Sequence, residues 1–243
     1  MSNIIYKAPL FKERLVGNGI SLSTAQVNLL IQYVDLLCAW NKKINIISRK
    51  DEENIWNRHI LASIAILFNH RFAENTRIAD IGTGGGLPGI PLAILHEKIN
   101  FILIDSIKKK AIATLDIVSQ LQLKNTAVIL GRAENLPREK KFQHAFDYIT
   151  ARAVAPAEKL IDWAKPLLKE CAAGEASENV SHELVLTLPR PALIMFKGGN
   201  IEGELEAAKK KHNPKSLTVH PIVVKGLEDS DDLYDKKIVI VQP

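Results

Sequence analysis

The residues with the clearest chemical potential lie around position 80, where the chain reads RIADIGTGGGLPGIPLAIL. The apolar residues from Ile78 to Ile81 predict a buried strand, and five glycines follow between Gly82 and Gly89. Pro88 suits the first turn of a helix, so the apolar run after it predicts a helix start. A strand, a glycine turn and a helix start together predict a ligand-binding loop at the carboxyl edge of an α/β sheet.

These glycines fit two kinds of ligand. Gly84, Gly86 and Gly89 match the GxGxxG pattern of dinucleotide sites, which is weak evidence by itself. Counted from the strand end, however, Asp80 stands two residues before a GxGxG formed by Gly82, Gly84 and Gly86. A carboxylate at the mouth of the loop would repel a pyrophosphate and attract the amino group and sulfonium of S-adenosylmethionine. We therefore expect S-adenosylmethionine, whose own carboxylate can meet backbone N–H groups near the helix start.

Two further acids suit a nucleoside bound in the same crevice. Asp105 ends the next apolar run and can accept both hydroxyls of a ribose, although a site for NAD would use such an acid equally well. Glu134, in the segment GRAEN, is expected over the adenine end of the crevice. Two alternatives stay open: an NAD-dependent oxidoreductase, for which no Tyr-x-x-x-Lys proton donor is present, and an RNA-binding module without catalysis.

The elements that must position these residues predict an α/β fold. Short apolar runs alternate with helical stretches, which is typical of a doubly wound, mostly parallel, Rossmann-like sheet with helices on both faces. No helix separates the last two runs, so we expect an antiparallel C-terminal strand, as in the seven-stranded sheet of methyltransferases. The predicted strands are 78–82, 101–105, 127–130, 147–150, 192–197, 217–224 and 236–242, and the predicted helices are 88–96, 107–122, 156–169 and 201–212.

The first 75 residues predict a helical N-terminal cap, followed by the α/β domain over 76–243. Ser23 and Gln26 form a capping-box pattern that predicts a helix over 24–40. Asp51 is expected to N-cap a second helix, whose apolar positions continue to Phe68. The segment 170–190 predicts a loop.

Composition excludes several classes of protein. No apolar run approaches the roughly 18 residues of a membrane span, and MSNIIYKAPLFKERL lacks the apolar core of a signal peptide, so we expect a cytoplasmic location. Cys38 and Cys171 lack metal-ligand spacing, and no metal is expected. The net charge is +5, and residues 1–77 hold ten Lys/Arg against six Asp/Glu, so the excess precedes the glycine loop and favours an anionic partner.

Six segments resemble, in order and spacing, the small-subunit ribosomal RNA guanine-N7 methyltransferases, also called glucose-inhibited division protein B. They are LLIQYVDLLCAWNKKINIIS, RHILASI, DIGTGGGLPGIPLAI, DSIKKK, GRAE and ITARAVAP. The resemblance covers about residues 24–200 and implies methyl transfer from S-adenosylmethionine to N7 of a guanine in a 16S rRNA loop near the decoding site. It also implies cofactor contacts from Gly82, Leu87, Ala133, Glu134 and Arg152. Ala62 and Thr114 depart from the family pattern, which usually has Asp and an aromatic residue there.

Such a reaction needs positioning groups and no catalytic base, because N7 of guanine carries a lone pair and no proton. Basic residues near strand and helix ends are therefore expected to contact RNA. Lys108, Lys109 and Lys110 begin a helix, where the macrodipole disfavours cations. The further RNA-contact candidates are Arg58, His59, Arg132, Arg152 and Lys197. The expected partner is 16S rRNA, the small ribosomal subunit or an assembly intermediate, bound by a monomer.

Overall fold

The computed structural model describes residues 8–170, 185–227 and 233–243. In these residues eight α-helices follow in chain order: α1 (Ala8–Gly17), α2 (Thr24–Ile44), α3 (Arg49–Glu52), α4 (Ala62–Ile64), α5 (Gly89–Leu95), α6 (Lys108–Gln120), α7 (Ala157–Ala164) and α8 (Glu202–His212). A π-helix spans Trp56–Leu61, and 3-10 helices span Ala65–Phe68, Ala133–Arg138 and Lys140–Phe142.

Nine strands form two sheets in the same residues. The strands are β1 (His70–Arg71), β2 (Arg77–Ile81), β3 (Asn100–Asp105), β4 (Thr126–Leu130), β5 (Tyr148–Arg152), β6 (Leu186–Thr187), β7 (Ala192–Gly198), β8 (Ser216–Pro221) and β9 (Lys236–Gln242). The main sheet has seven strands in the order β4-β3-β2-β5-β7-β9-β8, and β1 pairs with β6 separately. All seven predicted strands are present, with ends that differ by no more than three residues.

The main sheet confirms the predicted fold class. Neighbouring strands from β4 to β7 pair in parallel, whereas β9 pairs antiparallel with both β7 and β8. The chain order reverses between β2 and β5, so the carboxyl ends of β2, β3 and β5 border a crevice at the topological switch point. Asp80 on β2 lies opposite Leu103 on β3 and Thr150 on β5, which sets the register at this edge.

Each face of the sheet carries its own hydrophobic cluster, because alternate side chains of a strand point to opposite faces. Ile78 and Leu103 belong to the cluster under α1, α2, α5 and α6, and Ile81 and Met195 belong to the cluster under α7 and α8. The N-terminal helices share the first cluster with α5 and α6, so they are packed on the sheet. The division of the chain at residue 75 stays a prediction.

The capping box at the start of α2 is confirmed in both directions, since Ser23 Oγ accepts from Gln26 N and Gln26 Oε1 accepts from Ser23 N. The helix ends at Ile44, four residues beyond the predicted end. Asn45 adopts a left-handed conformation (φ 47°), and the buried Asn41 side chain accepts from the next two backbone N–H groups. The polar run NKKIN is therefore mostly the last turn of the helix.

The prediction that Asp51 caps a second helix is wrong. Asp51 lies inside the short α3, whose N-cap position is Ser48, and its carboxylate accepts from Arg58 Nη1 at 2.7 Å. The predicted continuous helix is divided into α3, the π-helix, α4 and a 3-10 helix. Inserted π turns are frequent at functional sites, because they redirect side chains out of the regular helical register.

Prolines explain two elements that end early. α7 stops at Ala164, five residues before the predicted end, and two residues later Pro166 has no N–H with which to continue the helical hydrogen bonds. β8 ends at Pro221, which has no N–H to donate to a ladder. The predicted loop 170–190 includes the two-residue β6, and its positions 171–184 lie outside the described residues, as does Cys171. In the described ranges no helix is both long and apolar enough to cross a membrane.

Candidate active site

The glycine loop follows β2 and is shaped by residues in left-handed conformation. Gly84 has φ +60°, and a Cβ placed there would meet no atom within 4 Å, so its surface is open. Gly86 has φ +97°, but a Cβ there would lie 2.3 Å from Ile90 Cδ1. Gly84 therefore offers backbone to a ligand, and Gly86 is required by internal packing. Gly86 does not line either of the two cavities beside the loop, and a cofactor contact from its backbone stays a prediction.

Asp80 lies beneath the loop with no exposed surface. Its carboxylate accepts from Thr83 Oγ1 at 2.6 Å, Gly89 N at 3.2 Å and Thr150 Oγ1 at 2.8 Å. Burial raises the pKa of Asp80 to about 6, although these three hydrogen bonds oppose the rise. Because its surface is fully covered, the carboxylate does not line either cavity, and its electrostatic attraction for the methyl donor stays a prediction. Asp80 holds the loop against β5.

Asp105 joins the glycine loop to α6. Its buried carboxylate accepts from Gly84 N at 2.9 Å and from Ile107 N at 2.8 Å. Thr114 Oγ1 donates to Gly84 O at 2.6 Å, so the Gly84 backbone is held from two elements. Thr114, the departure from the family pattern, thus has a defined contact. A carboxylate has about four lone-pair sites, so Asp105 keeps acceptor capacity for a ligand.

The N-terminal helices contribute to the same loop. Tyr33 on α2 donates its hydroxyl hydrogen to Gly85 O at 3.0 Å. A Cβ on Gly85 would lie within 2.7 Å of both Leu37 and Ile46. Glycine at position 85 therefore lets Leu37 and Ile46 pack directly against the loop backbone.

Two adjoining cavities open beside the loop. The smaller, of about 260 Å³, is lined by the loop residues Gly82, Thr83, Gly84, Gly85 and Leu87 and by Ile46, Ile47, Ser48, His59, Lys110, Arg152 and Ala153. The larger, of about 620 Å³, is lined by Asp51, Arg58, His59, Ala62, Arg152, Ala153, Phe196, Lys197, Gly198, Ile222 and Lys236. His59, Arg152 and Ala153 line both cavities and therefore form their common border.

The smaller cavity brings together only part of the predicted cofactor set. Gly82, Gly84, Leu87 and Arg152 line it. Asp105, which is bonded to Gly84 N, lies just beyond its lining, as do Ala133 and Glu134 in a 3-10 helix (Ala133–Arg138). That segment is tied to the crevice by a hydrogen bond from Gly131 N to Asp105 O at 3.0 Å.

Arg152 ends β5 and is fully engaged by the helical region opposite. Its Nη2 donates to Arg58 O at 2.8 Å and to His59 Nδ1 at 2.7 Å, and its Nη1 lies 3.2 Å from both His59 O and Ser63 Oγ. Burial lowers the pKa of the guanidinium from its ordinary value. Arg152 therefore holds residues 58–63 against the sheet. The Arg152 side chain also lines both cavities.

His59 accepts hydrogen bonds from Arg152 through both its ring and its backbone carbonyl. Burial, followed by the nearby charge of Arg152, lowers the pKa of His59 to about 4. Its Nε2 is buried without a hydrogen-bond partner in the described residues, and it lies 3.6 Å from Asp51 Oδ2. Ala62, the other departure from the family pattern, lines the larger cavity beside this pair.

The predicted RNA-contact residues differ in the exposure of their side chains and in their ion pairs. Lys108 and Lys109 are exposed at the start of α6, and Lys110 lines the smaller cavity. The Arg132 side chain is 69% exposed, with Glu134 at 3.6 Å. The Lys197 side chain is only 13% exposed, and its Nζ pairs with Glu204 Oε1 at 2.6 Å and donates to Ala155 O. This internal ion pair speaks against the predicted phosphate contact of Lys197.

Several contributors to the site were not predicted. Asp51 was interpreted as a helix cap, and Thr83, Thr150 and Lys236 carried no recognisable pattern. Ser63 stands four residues after His59 and donates to His59 O at 2.7 Å. That spacing on a helical segment could have indicated a shared face.

A glycine loop after the central strand, an acid ending the next strand and an antiparallel final strand define the methyltransferase class of doubly wound folds. Solved structures support the fold. A SAM dependent methyltransferase from Aquifex aeolicus aligns with TM-score 0.54 and 14% identity, covering 84% of this chain and 97% of that one. M. jannaschii TYW2 in complex with AdoMet aligns with TM-score 0.50 and 15% identity, covering 82% and 78%.

Sequence comparison identifies the family. The family described as rRNA small subunit methyltransferase G matches residues 26–176. The Ribosomal RNA small subunit methyltransferase G of Chlorobium luteolum is 35% identical over 93% of this chain and 84% of its own length. That of Phocaeicola vulgatus is 38% identical over 79% and 82%. The chain belongs to this family, which confirms the predicted class of enzyme, a methyltransferase that uses S-adenosylmethionine.

Proposed function

We propose that the chain transfers the methyl group of S-adenosylmethionine to N7 of a guanine in 16S rRNA. The observation that carries the proposal is the pair of adjoining cavities bordered by His59, Arg152 and Ala153. One cavity lies against the glycine loop and suits the methyl donor. The other is large enough for a purine that has been turned out of its stack. The names of the relatives support ribosomal RNA of the small subunit as the substrate.

The residues around the smaller cavity fit the methyl donor. Gly84 lines the cavity with an open surface, and Asp105, bonded to Gly84 N just beyond the lining, keeps lone pairs that suit ribose hydroxyls. Lys110 and the nearby start of α6 suit a carboxylate, because a helix N-terminus carries partial positive charge. Glu134 is retained as the acid on the adenine side. When bound, S-adenosylmethionine supplies a methyl group that is activated by the positive charge on sulfur.

The reaction requires alignment from this chain and no proton transfer to N7. The lone pair of N7 lies in the plane of the purine, so the walls of the larger cavity must hold that plane toward the smaller cavity. Holding two reactants in line can contribute on the order of 7–11 kcal/mol to catalysis. Arg152 and His59, which border both cavities, are the residues placed to set this alignment.

The RNA surface is proposed around the mouth of these cavities. Arg132, Lys108 and Lys109 carry exposed charges that suit phosphates. Arg58 lines the larger cavity and is held by Asp51, so it is assigned to the substrate side. We further propose that the chain acts as a monomer in the cytoplasm on 16S rRNA, whether free, in an assembly intermediate or in the small subunit.

The test uses 16S rRNA and small subunits from cells that lack the chain. The purified chain with S-adenosylmethionine should methylate at least one of these substrates at one guanine. Chemical cleavage at N7-methylguanosine then identifies the position. Methylation at another atom of guanine would contradict the choice of N7. Calorimetric binding of NAD in place of S-adenosylmethionine would favour the oxidoreductase alternative.

A further inference from the structure

The hydrogen bond between Arg152 and His59 fixes which ring nitrogen of His59 carries hydrogen. Arginine only donates, so His59 Nδ1, 2.7 Å from Arg152 Nη2, must accept. The low pKa of His59, about 4, keeps the ring neutral at neutral pH. A neutral imidazole that accepts at Nδ1 carries its hydrogen on Nε2. His59 therefore presents an Nε2–H donor.

That donor is buried, and in the described residues its nearest side-chain acceptor is Asp51 Oδ2 at 3.6 Å, longer than a normal hydrogen bond. His59 is 8% exposed and lines both cavities. Leaving a buried N–H without a close acceptor is unfavourable, so a ligand acceptor at this position would stabilise the complex. Because the His59 ring lines the larger cavity, a base that enters this cavity would lie against the ring that carries the donor.

An acceptor lies directly beside the donor. Asp51 Oδ2 is 3.6 Å from His59 Nε2, and Asp51 Oδ1 is held by Arg58 Nη1 at 2.7 Å. The ion pair with Arg58 orients the carboxylate and leaves Oδ2 with lone pairs to accept. The border of the larger cavity therefore shows one N–H donor next to one carboxylate acceptor.

We infer that this pair reads the edge of the target guanine, with His59 Nε2–H donating to O6 and Asp51 Oδ2 accepting from N1–H. The inference rests on the proposed function and names its specificity residues. Guanine offers an acceptor, O6, next to a donor, N1–H. Adenine offers the reverse order, a donor on N6 next to an acceptor at N1. Its N6–H would face the His59 donor and its N1 would face the Asp51 acceptor, and both contacts are unfavourable.

The order of the two residues in space agrees with methylation at N7. Along the guanine edge the groups follow in the order N7, O6, N1. His59 borders both cavities, whereas Asp51 lines only the larger one. Placing O6 at His59 and N1 at Asp51 turns N7 toward the cavity of the methyl donor. Arg152 is a positioning residue in this arrangement, because it acts through His59.

Two substitutions at one position test the donor. In His59→Asn the side-chain oxygen can take the place of Nδ1 and accept from Arg152, but no donor reaches the position of Nε2. In His59→Gln the longer amide can bring an N–H to that position. Both variants are assayed at saturating S-adenosylmethionine on the 16S rRNA or small subunits that wild type methylates, with thermal unfolding as the check of folding.

The expected result is a loss of roughly 10–100-fold in methylation rate for His59→Asn, with His59→Gln recovering most of it. Equal losses in the two variants, or no loss in His59→Asn, would overturn the inference. Small subunits reconstituted with 2-aminopurine at the target position provide the second measurement. This base has N7 but neither O6 nor N1–H, so it loses both contacts, and wild type should methylate it no faster than His59→Asn methylates guanine.

Equal rates of wild type on guanine and 2-aminopurine would also overturn the inference. Failure of the proposed function is distinguishable from this outcome, because wild type would then leave N7 of every guanine unmodified. The spectroscopic check is the ¹⁵N shift of His59. Wild type should show the Nε2–H tautomer, and Arg152→Lys should shift the ring toward a mixture of tautomers. A ring already in the Nδ1–H form in wild type contradicts the proposed donor.

Discussion

Asp105 Oδ2 accepts a hydrogen bond from Gly84 N at 2.9 Å, which joins the end of β3 to the glycine loop that follows β2. The other carboxylate oxygen accepts from Ile107 N before α6. The loop, the expected ribose acceptor and the helix start are therefore one connected unit. A ligand that binds Asp105 meets a loop that is already positioned.

The first prediction concerns this acid. Asp105→Ala should weaken S-adenosylmethionine binding by about 1–3 kcal/mol, through lost hydrogen bonds to the ribose and a less ordered loop. Isothermal titration calorimetry measures the change in Kd. Asp162→Ala is the control, since Asp162 lies on α7 and pairs with Lys211. An unchanged Kd in Asp105→Ala would place the ribose elsewhere.

The second prediction separates two glycines of the loop. Gly84→Ala adds a methyl group to open space and puts alanine in a left-handed conformation, which destabilises by about 1–2 kcal/mol. The protein should stay folded and lose most of its affinity for the methyl donor. Gly86→Val should instead lower the unfolding temperature sharply, because Ile90 fills the space that valine needs. Calorimetric unfolding and donor titration of both variants check this. If Gly84→Ala binds as wild type does, the ligand does not approach Gly84.

The same glycines show how far the sequence alone could reach. The pattern predicted the loop, its place between a buried strand and a helix, and the class of ligand. It could not separate Gly84, which faces open space, from Gly86, which faces Ile90, because the two occupy equivalent positions in the motif. Asp80 was assigned to the ligand because of its charge, and the sequence does not show that its carboxylate is buried. Its burial depends on Thr150 from a strand that is distant in sequence.

The contacts that position Arg152 and Asp51 could not be predicted from local sequence. Arg152 could be placed at a strand end from sequence, but its four acceptors belong to residues 58–63, about 90 positions earlier. The π-helix that presents these residues has no sequence pattern of its own, and Asp51 was interpreted as a cap. The roles of Arg152 and Asp51 depend on contacts between segments that are distant in sequence. Hydrophobic periodicity predicts only the local secondary structure of each segment.

The third prediction concerns pH and stability. Burial lowers the pKa of His96 to about 4, whereas an unfolded histidine titrates near 6.5. Between these values the unfolded state binds the additional proton, so the free energy of unfolding falls as pH falls from 6.5 to 4. His59 and His70 contribute with the same sign, with pKa values also lowered to about 4. Asp80 acts oppositely below about pH 6, because its raised pKa favours protonation in the folded state.

His96→Leu should therefore reduce the slope of unfolding free energy against pH. The reduction should approach ~1.4 kcal/mol per pH unit near pH 5, the value for one proton. Urea unfolding at intervals from pH 7 to pH 4.5 measures the slope. The same slope in wild type and variant would show that His96 is protonated equally in both states.

The fourth prediction compares two basic residues that were assigned to RNA. Arg132→Ala removes an exposed charge and should flatten the salt dependence of RNA binding by about 0.7–0.9 log units per log unit of salt. Lys197→Met breaks the pair with Glu204 and should lower the unfolding temperature while leaving the salt dependence unchanged. Filter binding to 16S rRNA at several salt concentrations measures both slopes. A flatter slope for Lys197→Met alone would reverse these roles.

The most direct test of the account is the methylation state of 16S rRNA in cells with and without the chain. Mapping N7-methylguanosine along the whole molecule should show one guanine that loses its methyl group when the chain is absent. Expression of the chain, but not of His59→Asn, should restore that group fully. Unchanged N7-methylguanosine at every position of 16S rRNA from cells lacking the chain would contradict the proposed function.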